Sequence, residues 1–138
     1  MRSVGSLLLV FGLWLLLILG CQAPSTSTNS SSPTKKSVVI DKSDAKQKGR
    51  AQLIRELQQK GIFGKVEARR DSPDRMSVDA TVKPRFFTLD FETKQQFVSV
   101  IYAYYCDGNE SDAVFLRDSM TDKLVGTYSS LSGGLSLD

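Results

Sequence analysis

Met76-Ser77-Val78-Asp79-Ala80-Thr81-Val82 alternates apolar and polar side chains without a break. Successive side chains of a strand point to opposite faces, so this stretch predicts a strand with one face buried and one wet. Pro84 ends it, because proline has no N–H to give to a ladder. Upstream, Arg70-Asp71-Ser72-Pro73-Asp74 has turn composition, and Phe63 to Arg69 predicts another strand. Before that strand, Ala51, Leu53, Ile54, Leu57 and Gln58 mark one side of a helix running from Ser43 or Asp44 to Lys60. Gly61 suits the left-handed position after that helix, and Ile62 then meets Leu57, as in a Schellman ending.

Downstream, Arg85 to Leu89 leads into a second helix that Asp90 caps, with Glu92 in the first turn where the helix dipole favours an acid. Phe97, Val98, Ile101, Tyr104 and Tyr105 predict its buried stripe, Tyr102 falls on the opposite side, and Asp107-Gly108 stops it after Cys106. Ala113 to Arg117 and Leu124 to Tyr128 predict two more strands, joined as a hairpin. The tail from Ser129 to Asp138 is rich in Ser and Gly, with Leu131, Leu135 and Leu137 spaced to pack back lightly. Ser37-Val38-Val39-Ile40 reads either as an edge strand or as a segment lying across the domain. The order helix–strand–strand–helix–strand–strand predicts one small α+β domain over 37–138, a mostly antiparallel sheet with both helices on one face.

The N-terminus carries a different kind of signal. Arg2 precedes an uncharged run from Val4 to Gly20 dominated by Leu, Val and Ile. This has the basic start, apolar middle and small-residue exit of a secretory signal. A membrane-spanning helix needs about 17–25 apolar residues, which puts this run at the lower limit, and no basic cluster follows directly. The run ends in Ile18-Leu19-Gly20-Cys21, and here the chain resembles bacterial lipoprotein precursors. In that family the cysteine is preceded by Gly or Ala, with Leu, Ile or Val three residues before it; Ile18 and Gly20 match, and Leu19 stands where Ala, Ser, Thr or Val is usual. The resemblance implies that residues 1–20 are a signal peptide, that cleavage falls between Gly20 and Cys21, and that Cys21 becomes a diacylglyceryl thioether with an acylated amine. Gln22, rather than the Asp of inner-membrane retention, implies the outer membrane, facing the periplasm, in a host with two. The competing reading is a cleaved secretory peptide that leaves Cys21 free to pair with Cys106.

Residues 21–36 then form the lipidated cysteine and a tether. From Gln22 to Pro33 nearly everything is Ser, Thr, Asn or Pro, which buries too little apolar surface to offset the entropy of ordering.

Several chemistries are excluded. The chain has no His, so Ser–His and Cys–His nucleophile pairs are absent, and one cysteine in the domain allows neither a disulfide framework nor a Cys/His zinc site. Cys106, at a helix C-terminus beside Asp107, reads as a buried spacer, since both neighbours raise a thiol's pKa. Asp107, Glu110 and Asp112 read as a solvated turn, lacking EF-hand spacing. No phosphate-binding glycine motif occurs, and the basic residues lack the aromatic interleaving of a nucleic-acid surface. No cofactor or metal is expected.

Charge is uneven. Lys35 to Arg85 holds fourteen Lys/Arg against seven Asp/Glu, and Phe86 to Asp138 holds three against eight. A basic half next to the leader suits an anionic membrane surface; charges scattered over solvated faces are the plainer reading. Among the aromatic residues, most fit a small core, and Tyr102 with one of Phe86 or Phe87 is a candidate exposed patch.

The element order, with Met76 to Val82 as central strand, is similar to that of BON domains, small exported α+β modules associated with membranes. The glycines that usually flank that strand are absent, so envelope or lipid association is implied by analogy of fold alone, and the domain is assigned to no family. The sequence therefore predicts a lipid-anchored cell-envelope lipoprotein. Its domain is a non-catalytic binding or scaffolding module for an unidentified envelope protein or polymer. One alternative is a peripheral domain holding anionic lipid head groups with Lys65, Arg69, Arg70 and Arg75. Another is a small hydrolase using carboxylates, which requires two acids converging in a cleft with one pKa raised.

Overall fold

A computed structural model describes residues 37–138; the leader, Cys21 and the tether lie outside the described residues. The elements are α1 (Asp44–Gln59), β1 (Phe63–Ser72), β2 (Arg75–Val82), α2 (Pro84–Phe87), α3 (Phe91–Tyr105), β3 (Ala113–Asp118), β4 (Leu124–Ser129) and β5 (Gly134–Leu137). The alternating stretch is β2, and it lies second in a five-stranded sheet of order β1-β2-β3-β4-β5. It runs antiparallel to β1 and parallel to β3, with Val78 opposite Val114 and Ala80 opposite Leu116. The parallel pair follows from the connection: α2 and α3 carry the chain back across the sheet, whereas the other neighbouring strands are joined by turns.

Val78, Ala80, Val82, Val114 and Leu116 are fully buried on the face covered by Leu57 of α1 and by Val98 and Ile101 of α3. The opposite face is wet and carries an Asp79–Arg117 ion pair at 3.2 Å. The result is an α+β domain with a mostly antiparallel sheet.

Local sequence explains the helix boundaries. Gly61 takes φ +70°; its N–H bonds Gln58 O at 3.1 Å, and Ile62 N–H bonds Leu57 O at 3.0 Å, the pair of bonds of a Schellman ending. Asp90 caps α3 by accepting Thr93 N–H at 2.8 Å and the Thr93 hydroxyl at 2.6 Å.

Three details go beyond the sequence expectations, and a fourth decides between two of them. The strand predicted to end at Arg69 continues to Ser72, because Arg70 and Ser72 still pair with Met76 and Arg75 around a Pro73-Asp74 turn. Pro84 both ends β2 and opens the one-turn helix α2, where a first-turn residue loses nothing by lacking an N–H. The tail supplies a fifth strand: Leu135 and Leu137 pair with Tyr128 and Gly126 of β4. Gly126 permits this closeness, since a Cβ there would stand 2.7 Å from Ser136 O. Finally, Ser37–Ile40 forms no strand. It lies across the domain, with Val38 N–H on Gly108 O at 2.9 Å.

Candidate functional site

Of the candidate exposed patch, Tyr102 lies in the core, while of Phe86 and Phe87 one is buried and the other exposed. Phe86 is completely buried, its ring 5.6 Å from that of Phe63, because α2 folds its side chain under the sheet. Tyr102 is 5% exposed and packs on Tyr128 of β4 with ring centroids 5.2 Å apart. The helix buries a wider arc than the sequence stripe indicated, because α3 meets α1 as well as the strands through β5. Phe87 alone keeps an open face, 46% exposed and edge-on to Phe86.

Lys65, Arg69 and Arg70 lie on β1 and Arg75 opens β2, and each faces a carboxylate. Lys65 is 2.6 Å from Glu67, Arg69 is 2.7 Å from Asp71, and Arg75 is 3.6 Å from Asp71. Arg70 reaches Asp107 at 2.9 Å. The guanidinium of Arg69 and the hydroxyl of Ser77 hold the Asp71 carboxyl below its usual range, the hydroxyl contributing most. Three carboxylates thus face four cations, with Asp71 shared by Arg69 and Arg75, and the strip is largely compensated rather than an open basic patch.

The acidic loop after α3 is not simply solvated. Asp112 is buried and collects three backbone N–H groups: Met76 at 2.7 Å, Asp107 at 2.9 Å and Asn109 at 2.9 Å. A carboxylate bonded in this way clamps the loop to the start of β2. Among the described residues, no three Asp, Glu or Cys side chains converge as a metal site. The carboxyls that depart from their ordinary pKa, Asp41, Asp71, Asp90 and Asp118, are all held low, chiefly by hydrogen bonds. A general acid needs the opposite displacement.

Cys106 is fully buried, and burial, helped by the Asp112 and Asp107 carboxylates, pushes its thiol up to about 12. Its sulfur is neutral at any physiological pH, so it is neither an attacking thiolate nor a ready disulfide partner.

Among the described residues, a cleft of about 400 Å³ lies beside α3. Ser99, Tyr102 and Ala103 of α3 form one side, and Tyr128 and Ser129 of β4 another. Ser130, Gly133 and Gly134 of the last turn close the end, while Val38 and Ile40 supply an apolar lip. Among the described residues, no charged side chain lines it. Burial raises the pKa of both Tyr102 and Tyr128, so both phenols stay protonated near neutral pH. The Tyr102 hydroxyl and that of Ser130 share the Asn109 carbonyl at 3.5 and 3.4 Å. The lip depends on Gly108, at φ +84°, where any Cβ would collide with the Val38 carbonyl. Apart from Tyr102, none of these lining residues was a sequence candidate. The available signal was Leu135-Ser136-Leu137, an alternating pattern directly after two glycines.

No described helix is long and apolar enough to cross a membrane. Comparison with protein-family models, curated proteins and solved structures finds no match for this chain.

Proposed function

We propose that this chain is a lipid-anchored envelope lipoprotein whose α+β domain is a non-catalytic binding module, recognising its partner at the cleft beside α3. The observation that carries the first half is the leader, Arg2 and an uncharged run ending in Ile18-Leu19-Gly20-Cys21. Two or more acyl chains on Cys21 hold a protein nearly permanently to a bilayer, whereas one holds it marginally. The Ser/Thr-rich stretch that follows would set the domain off the surface. The burial of Cys106 supports lipidation over the disulfide alternative, because a covered, protonated thiol is a poor partner for Cys21.

The binding half draws on the cleft: concave, with Tyr102 and Tyr128 in its walls, Ser99, Ser129 and Ser130 beside them, and no charged residue among its described lining. Such a lining suits a neutral segment of an envelope protein or polymer that offers an apolar face. Among the described residues, the four shifted carboxyls are all lowered and the Cys106 thiol is raised, which argues against a carboxylic general acid and against a thiolate nucleophile. Against the head-group alternative stand the carboxylates already opposite Lys65, Arg69, Arg70 and Arg75.

In-cell crosslinking with mass spectrometry tests the reading, using the parent chain, Cys21→Ser and a cleft-filling Ser99→Trp. A dominant crosslink that Ser99→Trp removes, with the domain still folded, is the expected result. Turnover of a defined substrate by the purified chain, or a partner indifferent to Ser99→Trp, overturns it.

A further inference from the structure

Among the described residues, β1 is an outer strand of the sheet: it pairs with β2 on one side and with no described strand on the other. From Glu67 to Ser72 every residue is exposed. Long exposed edges invite pairing, and proteins usually blunt them with charge. The charges here do something more specific. Lys65, Glu67, Arg69 and Asp71 alternate in sign at every second position. Glu67 and Arg69, paired with Asp79 and Ser77 of β2, share one face of the strand; Lys65 and Asp71 sit at register shifts at the two ends of this stretch and reach that pair through the Lys65–Glu67 and Arg69–Asp71 ion pairs.

Consider a second copy pairing antiparallel with this edge. Opposed residues must share the same hydrogen-bonding direction, so their numbers add to an even total and registers differ by steps of two. With Ala68 opposite Ala68, Lys65 faces Asp71 and Glu67 faces Arg69, and each contact occurs twice by symmetry. One step either way sets Glu67 against Glu67 and Lys65 against Arg69, or Arg69 against Arg69 and Glu67 against Asp71. Directly opposed like charges are unfavourable and opposite charges favourable. The alternation thus favours the Ala68 register over both neighbours, and only this axis sets two kinds of opposite-charge contact, where axes at Val66 and Arg70 set one each.

We propose that the β1 edge is an isologous interface, at which a second copy of this chain pairs antiparallel about a two-fold axis at Ala68. A contact of this kind closes on itself and stops at the dimer. It joins two sheets through backbone bonds and leaves the cleft beside α3, at the β4–β5 end, uncovered. It requires nothing of the Cys21 anchor.

The test uses the full chain in two parts. Ala68→Cys places one thiol on the axis, and oxidation should give a covalent dimer well above the background of the parent chain. Lys65→Cys should not crosslink with itself, because the two copies of that position lie roughly 20 Å apart at about 3.4 Å per residue. The second part separates this contact from the ion pairs within each chain. Glu67→Arg or Arg69→Glu should each weaken dimerisation in analytical ultracentrifugation by roughly tenfold. Glu67→Arg with Arg69→Glu together breaks both internal pairs yet restores every contact across the axis, and should recover the dimer. A monomeric parent chain, Ala68→Cys no better than background, or a double variant as weak as the singles overturns the proposal.

Discussion

Replacing Asp112 by Ala should destabilise the domain more than any other change outside its apolar core. The carboxylate is 1% exposed and accepts from Met76, Asp107 and Asn109, all at 2.9 Å or less. Hydrogen bonds to a charged group contribute about 1.5–3 kcal/mol each, and a donor stranded by truncation loses its desolvation as well. Asp107 is exposed and regains water, so the sum is discounted to about 3–4 kcal/mol. For a domain near 100 residues that lowers Tm by on the order of 15 °C. Asp112→Asn keeps one good acceptor and sets an NH2 against a backbone donor, so roughly half that loss is expected. Urea unfolding followed by circular dichroism gives both values. Labelling of Cys106 in the same samples should rise with the loss, because the clamp holds the segment that follows it. An Ala variant within about 0.5 kcal/mol of the parent would show that the loop is held by other contacts and would refute the reasoning.

Four further outcomes are expected. Cys106 in the parent should resist thiol reagents at pH 8 and react only on unfolding; rapid native labelling would contradict its burial. Gly108→Ala should push Val38 off the domain and expose the 37–42 segment to limited proteolysis, with the strands unaffected. Leu57→Ala, which empties a position between α1 and the sheet, should cost about 2–5 kcal/mol, read as a lower urea midpoint. Acid should weaken the fold through Asp41, Asp71, Asp90 and Asp118, whose carboxyls start from an ordinary value of 3.8 and are lower when folded. Their contribution is complete above the unfolded value and is lost as pH falls from about 5 through the folded values, so urea midpoints at pH 7 and pH 5 should differ less than those at pH 5 and pH 3.

What the sequence conveyed best were features set by local rules. The β2 alternation, the Gly61 ending and the Asp90 cap each depend on a few neighbouring residues, and each is present in the fold. The misplaced features depend on partners remote in the chain. Tyr102 is buried by Tyr128, which reaches it only because β3, β4 and β5 extend the sheet beneath α3. β5 itself was masked by Ser and Gly composition, although Gly134, at φ +138°, is what lets so short a strand turn back onto β4. Asp112 looked like one acid among three in a polar loop. Its three donors come from two separate segments, which no pattern within the loop announces. The cleft was hidden for the same reason, since its walls are α3, the final hairpin and a segment that precedes α1.

The central claim, that the chain is anchored by lipid on Cys21, is tested most directly by intact and peptide mass spectrometry of the protein isolated from membranes of its host. The expected result is an N-terminus at Cys21 carrying a diacylglyceryl thioether and an amide-linked acyl chain, and detergent-phase partitioning that Cys21→Ser abolishes. An unmodified Cys21 thiol, or a retained leader on the mature protein, would contradict it.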